Sequence, residues 1–177
     1  MPVDLIFIVA IVYASQLAYK RKLDKKMILP LLYPTASFVF LISLYSEFGV
    51  MVLFWLLIIV AATDTGAYFA GKTFGRTPFC ETSPNKTLEG VVGGMIFAVI
   101  MGIFTSINEV GILGAIIVSA IVSLSSVFGD LYESYLKREA GVKDSGNILP
   151  GHGGVLDRVD GYLFGAIVML VLLRIII

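Results

Sequence analysis

Six stretches of this chain run on almost without a charged side chain: 5–19, 27–46, 49–62 continuing through Asp64 to residue 70, 90–108, 110–129 and 161–177, the last broken only by Arg174. A bilayer core of about 30 Å is crossed by roughly 20 apolar residues in a helix. Within hydrocarbon a backbone must satisfy its own hydrogen bonds, which leaves helices as the structure for such stretches. The chain is 58% apolar and 15% charged, against about 45–50% and about 25% in soluble domains. These features exclude a disordered chain, a disulfide scaffold and a water-soluble enzyme. They predict an all-α, polytopic integral membrane helix bundle of about six transmembrane helices, forming one domain over 1–177. Glycines, Pro30 and Pro34 are compatible with membrane helices. The stretch 5–19 reads as a span and not as a cleaved leader, because its basic cluster Lys20-Arg21-Lys22 follows the apolar run.

Polar residues gather in three long segments, 20–26, 71–89 and 130–160, and two short ones, 46–49 and 108–111. Twelve of the 13 Lys and Arg residues lie in the long segments. Six spans put all three long segments on one side, and the positive-inside rule makes that side cytosolic. Net charge is zero, so no nucleic-acid partner is implied. A lone Cys80 cannot form an intrachain disulfide.

Two of the long segments carry more than solvation requires. Asp130 leads out of one span, and Asp157 and Asp160, three apart and so on one helix face, lead into the next. Around them lie Lys137, Arg138, Lys143, Asp144 and Arg158. A charge run is by default a solvated face with ordinary ion pairs. Here the Gly-rich run Gly151-His152-Gly153-Gly154 favours function, since glycines let backbone N–H groups converge on an anion. Oxygen-only ligands beside bases suit Mg²⁺, alone or with a second metal ion, holding a phosphorylated substrate. One His and one Cys cannot build a zinc site. In the other segment, Ser83 followed by Pro84 reads as a helix cap and first helical residue. That places Lys86 and Thr87 in a first turn suited to phosphate. It is not a P-loop, since the upstream glycines are missing. Asp64, inside a span, is expected to face the bundle interior, because a carboxylate facing lipid costs about 2.5–3.5 kcal/mol.

Taken together, Ser134-x-Leu136-Lys137-Arg138, Lys143-Asp144-x-Gly146, Leu149-Pro150-Gly151-His152-Gly153-Gly154 and Leu156-Asp157-Arg158-x-Asp160 resemble the signature of the phosphatidate cytidylyltransferases (CDP-diacylglycerol synthases). Asp64-x2-Ala67-Tyr68-x2-Gly71 and Ser83-Pro84-x-Lys86-Thr87-x-Glu89-Gly90-x2-Gly93-Gly94 are similar to upstream blocks of the same family. The resemblance implies transfer of a cytidylyl group from CTP to phosphatidic acid, with Mg²⁺, at the cytosolic rim of a bacterial inner membrane. On that reading Asp130, Asp157 and Asp160 hold metal. Lys137, Arg138, Lys143, His152 and Arg158 act on the phosphates, catalytic Asp144 orients Lys143 or binds metal, and Asp64, Ser83, Lys86, Thr87, Gly153 and Gly154 bind substrate. Close-packing residues such as Gly90, Gly93 and Gly94 permit packing within the chain or across a homodimer. Rival readings are a CTP-dependent polyprenol kinase and an ion-coupled transporter. A CDP-alcohol phosphotransferase fails, because Asp160-Gly161 is not followed by the Ala-Arg its motif needs.

Overall fold

A computed structural model describes residues 25–80, 83, 85–148 and 153–177, with the backbone alone over 25–32 and at 109. The described residues fold into five long helices. Helix α1 is Lys25–Phe48, α2 is Val50–Phe74, α3 is Leu88–Thr105, α4 is Gly111–Glu139 and α5 is Leu156–Ile176; a 3-10 turn, Asn108–Val110, precedes α4. Helices α2 to α5 are long and apolar enough to cross a membrane, and even the 18 residues of α3 reach about 27 Å. Helix α1, with 24 residues, covers the stretch expected at 27–46. The first expected span, 5–19, lies outside the described residues.

The reversals fall where a residue can break the helix. Gly49 (φ 81°) separates α1 from α2, and Gly111 (φ 66°) follows the 3-10 turn. At the end of α4, Gly141 (φ 69°) donates to the Arg138 carbonyl at 3.0 Å, a left-handed glycine stop. Helix α4 runs ten residues past the expected end at 129, so the front of the segment read as a loop, 130–139, is three more helical turns. The cause is visible in the sequence: no glycine or proline stands between Asp130 and Gly141, and Glu133 and Lys137 pair one turn apart.

Leu44, Trp55, Leu56, Ile59, Ala98, Val118, Val122, Ala166, Met169, Leu170 and Leu173 form the interior. Helices α2 and α3 approach most closely through glycine. A Cβ on Gly94 would lie 2.5 Å from the Thr63 carbonyl, and one on Gly66 would lie 2.9 Å from the Phe97 Cβ. Gly90, Gly93 and Gly94 are thus occupied in packing within the chain. Phe54, Leu57, Ile96, Ile100, Ile112 and Val171 stay exposed on the outer faces, an apolar surface of a kind that water would not tolerate over such an area and that lipid requires. In the interior, Thr63 Oγ1 lies 2.8 Å from both the Ile59 carbonyl and Ser123 Oγ, a polar contact that ties α2 to α4.

Candidate active site at the helix rim

The ends of α2 and α4 and the starts of α3 and α5 meet at one rim of the bundle. Between α2 and α3 the chain doubles back. Phe79 N donates to the Lys86 carbonyl at 2.8 Å, Leu88 N donates to the Thr77 carbonyl at 2.9 Å, and Pro78 faces Thr87 in an isolated antiparallel bridge. The Glu89 carboxylate accepts from Arg76 N, Thr77 N and Thr77 Oγ1, holding the turn against the helix start.

Helix α3 therefore begins later than the Ser83-Pro84 signal predicts. Thr87 is the cap, accepting from Gly90 N at 3.1 Å. Ser83 sits in the preceding loop, where its carbonyl accepts from Lys86 N; Pro84 lies outside the described residues. Either hydroxyl obeys the same cap chemistry. The doubled-back strand decides between them, because it holds residues 77–79 against 86–88. Lys86, freed from the helix, reaches across to Asp130 on α4 at 2.5 Å.

On α4, Asp130, Glu133, Ser134 and Lys137 share one face. Ser134 Oγ approaches Asp130 Oδ1 at 3.4 Å. Lys137 Nζ bridges two carboxylates, Glu133 of its own helix and Asp157 of α5, the latter at 2.8 Å. Glu133 is 1% exposed and, among the described residues, has no hydrogen bond beyond this ion pair. Sequence reasoning did not select it, although its place three residues after Asp130 and four before Lys137 marks the same face.

Asp157 is the most heavily engaged group at the rim. Its carboxylate accepts from Lys137 Nζ, from Ser145 N at 2.9 Å, from Ser145 Oγ at 2.8 Å and from Gly154 N at 2.7 Å. From the glycine run, Gly154 aims its backbone N–H at an anion, and that anion is the chain's own Asp157. The glycines are needed there. Gly153 has φ 80°, and a Cβ on it would stand 2.7 Å from Asp157 Oδ2, while one on Gly154 would stand 2.8 Å from Gly146 N. His152 lies outside the described residues.

Two cavities open at this rim and share Asp64 and Asp130 as a common wall. The first, about 420 Å³, lies between α2, α3 and α4 and is lined by Thr63, Ala67, Tyr68, Gly71, Lys72, Asn85, Lys86, Thr87, Gly90, Val91 and Val127 besides the shared pair. The second, about 400 Å³, lies against α4 and α5, with Lys137, Asp157, Arg158, Asp160, Ser126 and Tyr162 on its walls. Asp64, Lys86, Thr87, Asp130, Lys137, Asp157, Arg158 and Asp160 thus line the two cavities together. Ser83, Arg138, Lys143, Asp144, Gly153 and Gly154 line neither cavity. Arg138 instead donates to the Val142 carbonyl at 3.4 Å. Lys72, Asn85 and Tyr162 line the cavities without having been selected.

Asp130, Asp157 and Asp160 line one cavity without closing into a cage. Among the described residues, no three His, Cys, Asp or Glu side chains converge to hold a metal ion by themselves. Mg²⁺ keeps waters and binds through one or two carboxylates plus substrate phosphate, a demand that Asp130 and Asp160 in the second cavity can meet.

Fold and site define a membrane-embedded helix bundle whose acidic and basic side chains gather in a two-chambered cleft at one rim. The chain belongs to the cytidylyltransferase family, whose model matches residues 3–176. It is 52% identical to a phosphatidate cytidylyltransferase of Helicobacter pylori (strain J99), over 97% of this chain and 65% of the relative. It is 44% identical to that of Bacillus subtilis, over 67% of this chain and 45% of the relative. With that of Thermotoga maritima it shares 35% identity over 99% of this chain and 70% of the relative. The chain thus spans less than two thirds of the length of the first two of these relatives.

Proposed function

We propose that this protein transfers the cytidylyl group of CTP to phosphatidic acid, giving CDP-diacylglycerol and pyrophosphate. The site rim would face the cytosol of a bacterial inner membrane. The observation that carries the reading is the pair of cavities meeting at Asp64 and Asp130, with Lys86 on one side and Lys137 and Arg158 on the other. Two anionic substrates can meet there without either leaving its own solvent. The relatives' names point to the same substrates.

The chemistry needs little from the protein beyond charge and position. A phosphate monoester carries about −1.5 to −2 charges near pH 7, so its oxygen attacks without a strong general base. That oxygen forms a bond to the α-phosphorus of CTP. The bond from α-phosphorus to the bridging oxygen breaks, and its electron pair leaves on pyrophosphate. Two polyanions must be held in line, and fixed cations supply most of the assistance. Lys137 and Arg158, which line the second cavity, would take up departing negative charge, and Lys86, which lines the first, would hold the incoming phosphate. Asp130 and Asp160, which line the second cavity, would hold Mg²⁺, and Asp157 beside them would be a third carboxylate available to the ion. When bound, the ion neutralises phosphate charge and orients the triphosphate.

The deciding measurement uses CTP labelled at the α- or the γ-phosphate, with the protein in phosphatidate-containing vesicles. Label from the α position should enter lipid with stoichiometric pyrophosphate release, and chelation of Mg²⁺ should stop both. Transfer of γ-label would make the protein a lipid kinase. Ion flux without pyrophosphate release would make it a transporter.

A further inference from the structure

The two chambers are of similar size but of opposite character. The one against α5 is walled by ionic groups: Asp64, Asp130, Asp157, Asp160, Lys137 and Arg158. The one between α2 and α3 shares Asp64 and Asp130 with it but is otherwise walled mainly by hydrocarbon and backbone, at Ala67, Gly71, Gly90, Val91 and Val127, with Lys72 and Lys86 as its cations. Its mouth carries Tyr68, 60% exposed on the outer face of α2 beside the equally exposed Phe69. An exposed tyrosine near the end of a membrane helix belongs at headgroup level, ring toward the chains and hydroxyl toward water.

We infer that the chamber between α2, α3 and α4 seats the phosphate of a lipid, with Lys72 as its outer cation and Tyr68 at its membrane-facing mouth, and that the nucleotide occupies the chamber against α5. The inference rests on the reaction proposed above and divides its substrates between the two cavities. Lys72 differs from the other bases of the cleft. Lys86 is tied to Asp130, and Lys137 to Glu133 and Asp157. Lys72 lies over the Tyr68 ring, 5.7 Å from its centroid, and among the described residues no carboxylate pairs with it. It can therefore receive an anion at the rim without breaking an ion pair. The hydrocarbon wall offers a nucleotide few partners, whereas it accepts a glycerol backbone and the first methylenes of a chain. A cavity of about 420 Å³ holds a headgroup and not two full acyl chains, so the chains remain in the bilayer past Tyr68.

Binding of dioctanoyl phosphatidate, glycerol 3-phosphate, inorganic phosphate and dioctanoylglycerol to the detergent-solubilised protein tests this, together with KM values for phosphatidate and CTP. Lys72→Met should weaken dioctanoyl phosphatidate binding about tenfold, the effect of losing one charge-assisted contact. It should raise the KM for phosphatidate alike and leave that for CTP unchanged. Lys72→Arg should restore most of the loss. Glycerol 3-phosphate, inorganic phosphate and dioctanoylglycerol should each bind at least tenfold more weakly than the lipid phosphate. Inorganic phosphate binding as tightly as the lipid would mark a plain anion site and overturn the lipid seat. A Lys72→Met effect confined to CTP would reverse the division of the chambers. Lys72-dependent lipid binding without any label transfer from CTP would overturn the reaction and leave the seat standing. Label transfer with lipid binding indifferent to Lys72 would overturn the seat alone.

Discussion

Asp157 anchors three separate pieces of chain, because one carboxylate at the start of α5 accepts from Lys137 of α4, from Ser145 in the connecting loop and from Gly154. Asp157→Asn keeps the shape but removes the charge that draws these donors together. We expect turnover to fall by at least about 100-fold, on the order of the loss of several charge-assisted contacts. Tryptic cleavage after Lys143 should accelerate while the protein stays in the membrane fraction; a variant as resistant as the parent would contradict the anchoring role. Glu133 is the second such residue. With Glu133→Leu, Lys137 keeps Asp157 and loses its buried partner. The lost pair is balanced by relief of a costly buried carboxylate, so stability should change by no more than about 2 kcal/mol. Turnover should drop through misplacement of Lys137, in kcat more than in KM. A stable, fully active variant would remove Glu133 from the site. These two residues also show how far the site could be read in advance. Asp157 was legible from its motif. That its partners are a lysine and two loop positions was not, because the loop closes only once α4 and α5 lie side by side.

Among the elements, α4 and α3 departed from the sequence reading for opposite reasons. Charges at 130–139 suggested a loop, yet a helix continues through them because their spacing puts Glu133 and Lys137 in contact on the buried face. The Ser83-Pro84 pair carried a sound local start signal, but the return of residues 77–79 along 86–88 moved the cap to Thr87. Local propensity yields when tertiary contacts fix the backbone elsewhere. Thr87→Val deletes the cap bond to Gly90 and should cost about 1 kcal/mol, seen as a lower Tm in detergent; no shift would mean that the doubled-back strand alone sets the helix start. Helix pairing is just as specific. Gly94→Ala would press a methyl to 2.5 Å from the Thr63 carbonyl and should destabilise by about 1–3 kcal/mol. Because Thr63 also lines the first cavity, the KM for phosphatidate should rise with it. A neutral Gly94→Ala would mean that α2 and α3 can separate without cost.

The whole bundle is polarised from end to end. At the site rim Tyr33 of α1 packs edge-on to Tyr132 of α4 at 5.1 Å and against Phe164 of α5 at 5.5 Å. At the opposite rim Arg174 of α5 grips both oxygens of Glu47 of α1. Helix α1 is thus pinned at both ends to the pair that carries Asp130 and Asp157. Arg174→Gln loses an exposed clasp, and exposed pairs contribute little. The expected result is a small fall in Tm with unchanged turnover, and a large loss of turnover would mean that the far rim communicates with the site. By itself the sequence determined the solvent, the all-helical class, the rim on which the charges gather and many of the side chains found there, because hydrophobic length and charge placement are properties of the chain alone. Only the tertiary structure decided which charges face the cleft and which are tied to each other. It also decided that one cleft divides into an ionic chamber and an oily one, and that Lys72 belongs to it. Those outcomes depend on how closely the glycines let α2 approach α3 and α4 approach α5, a distance set by contacts between residues far apart in the chain.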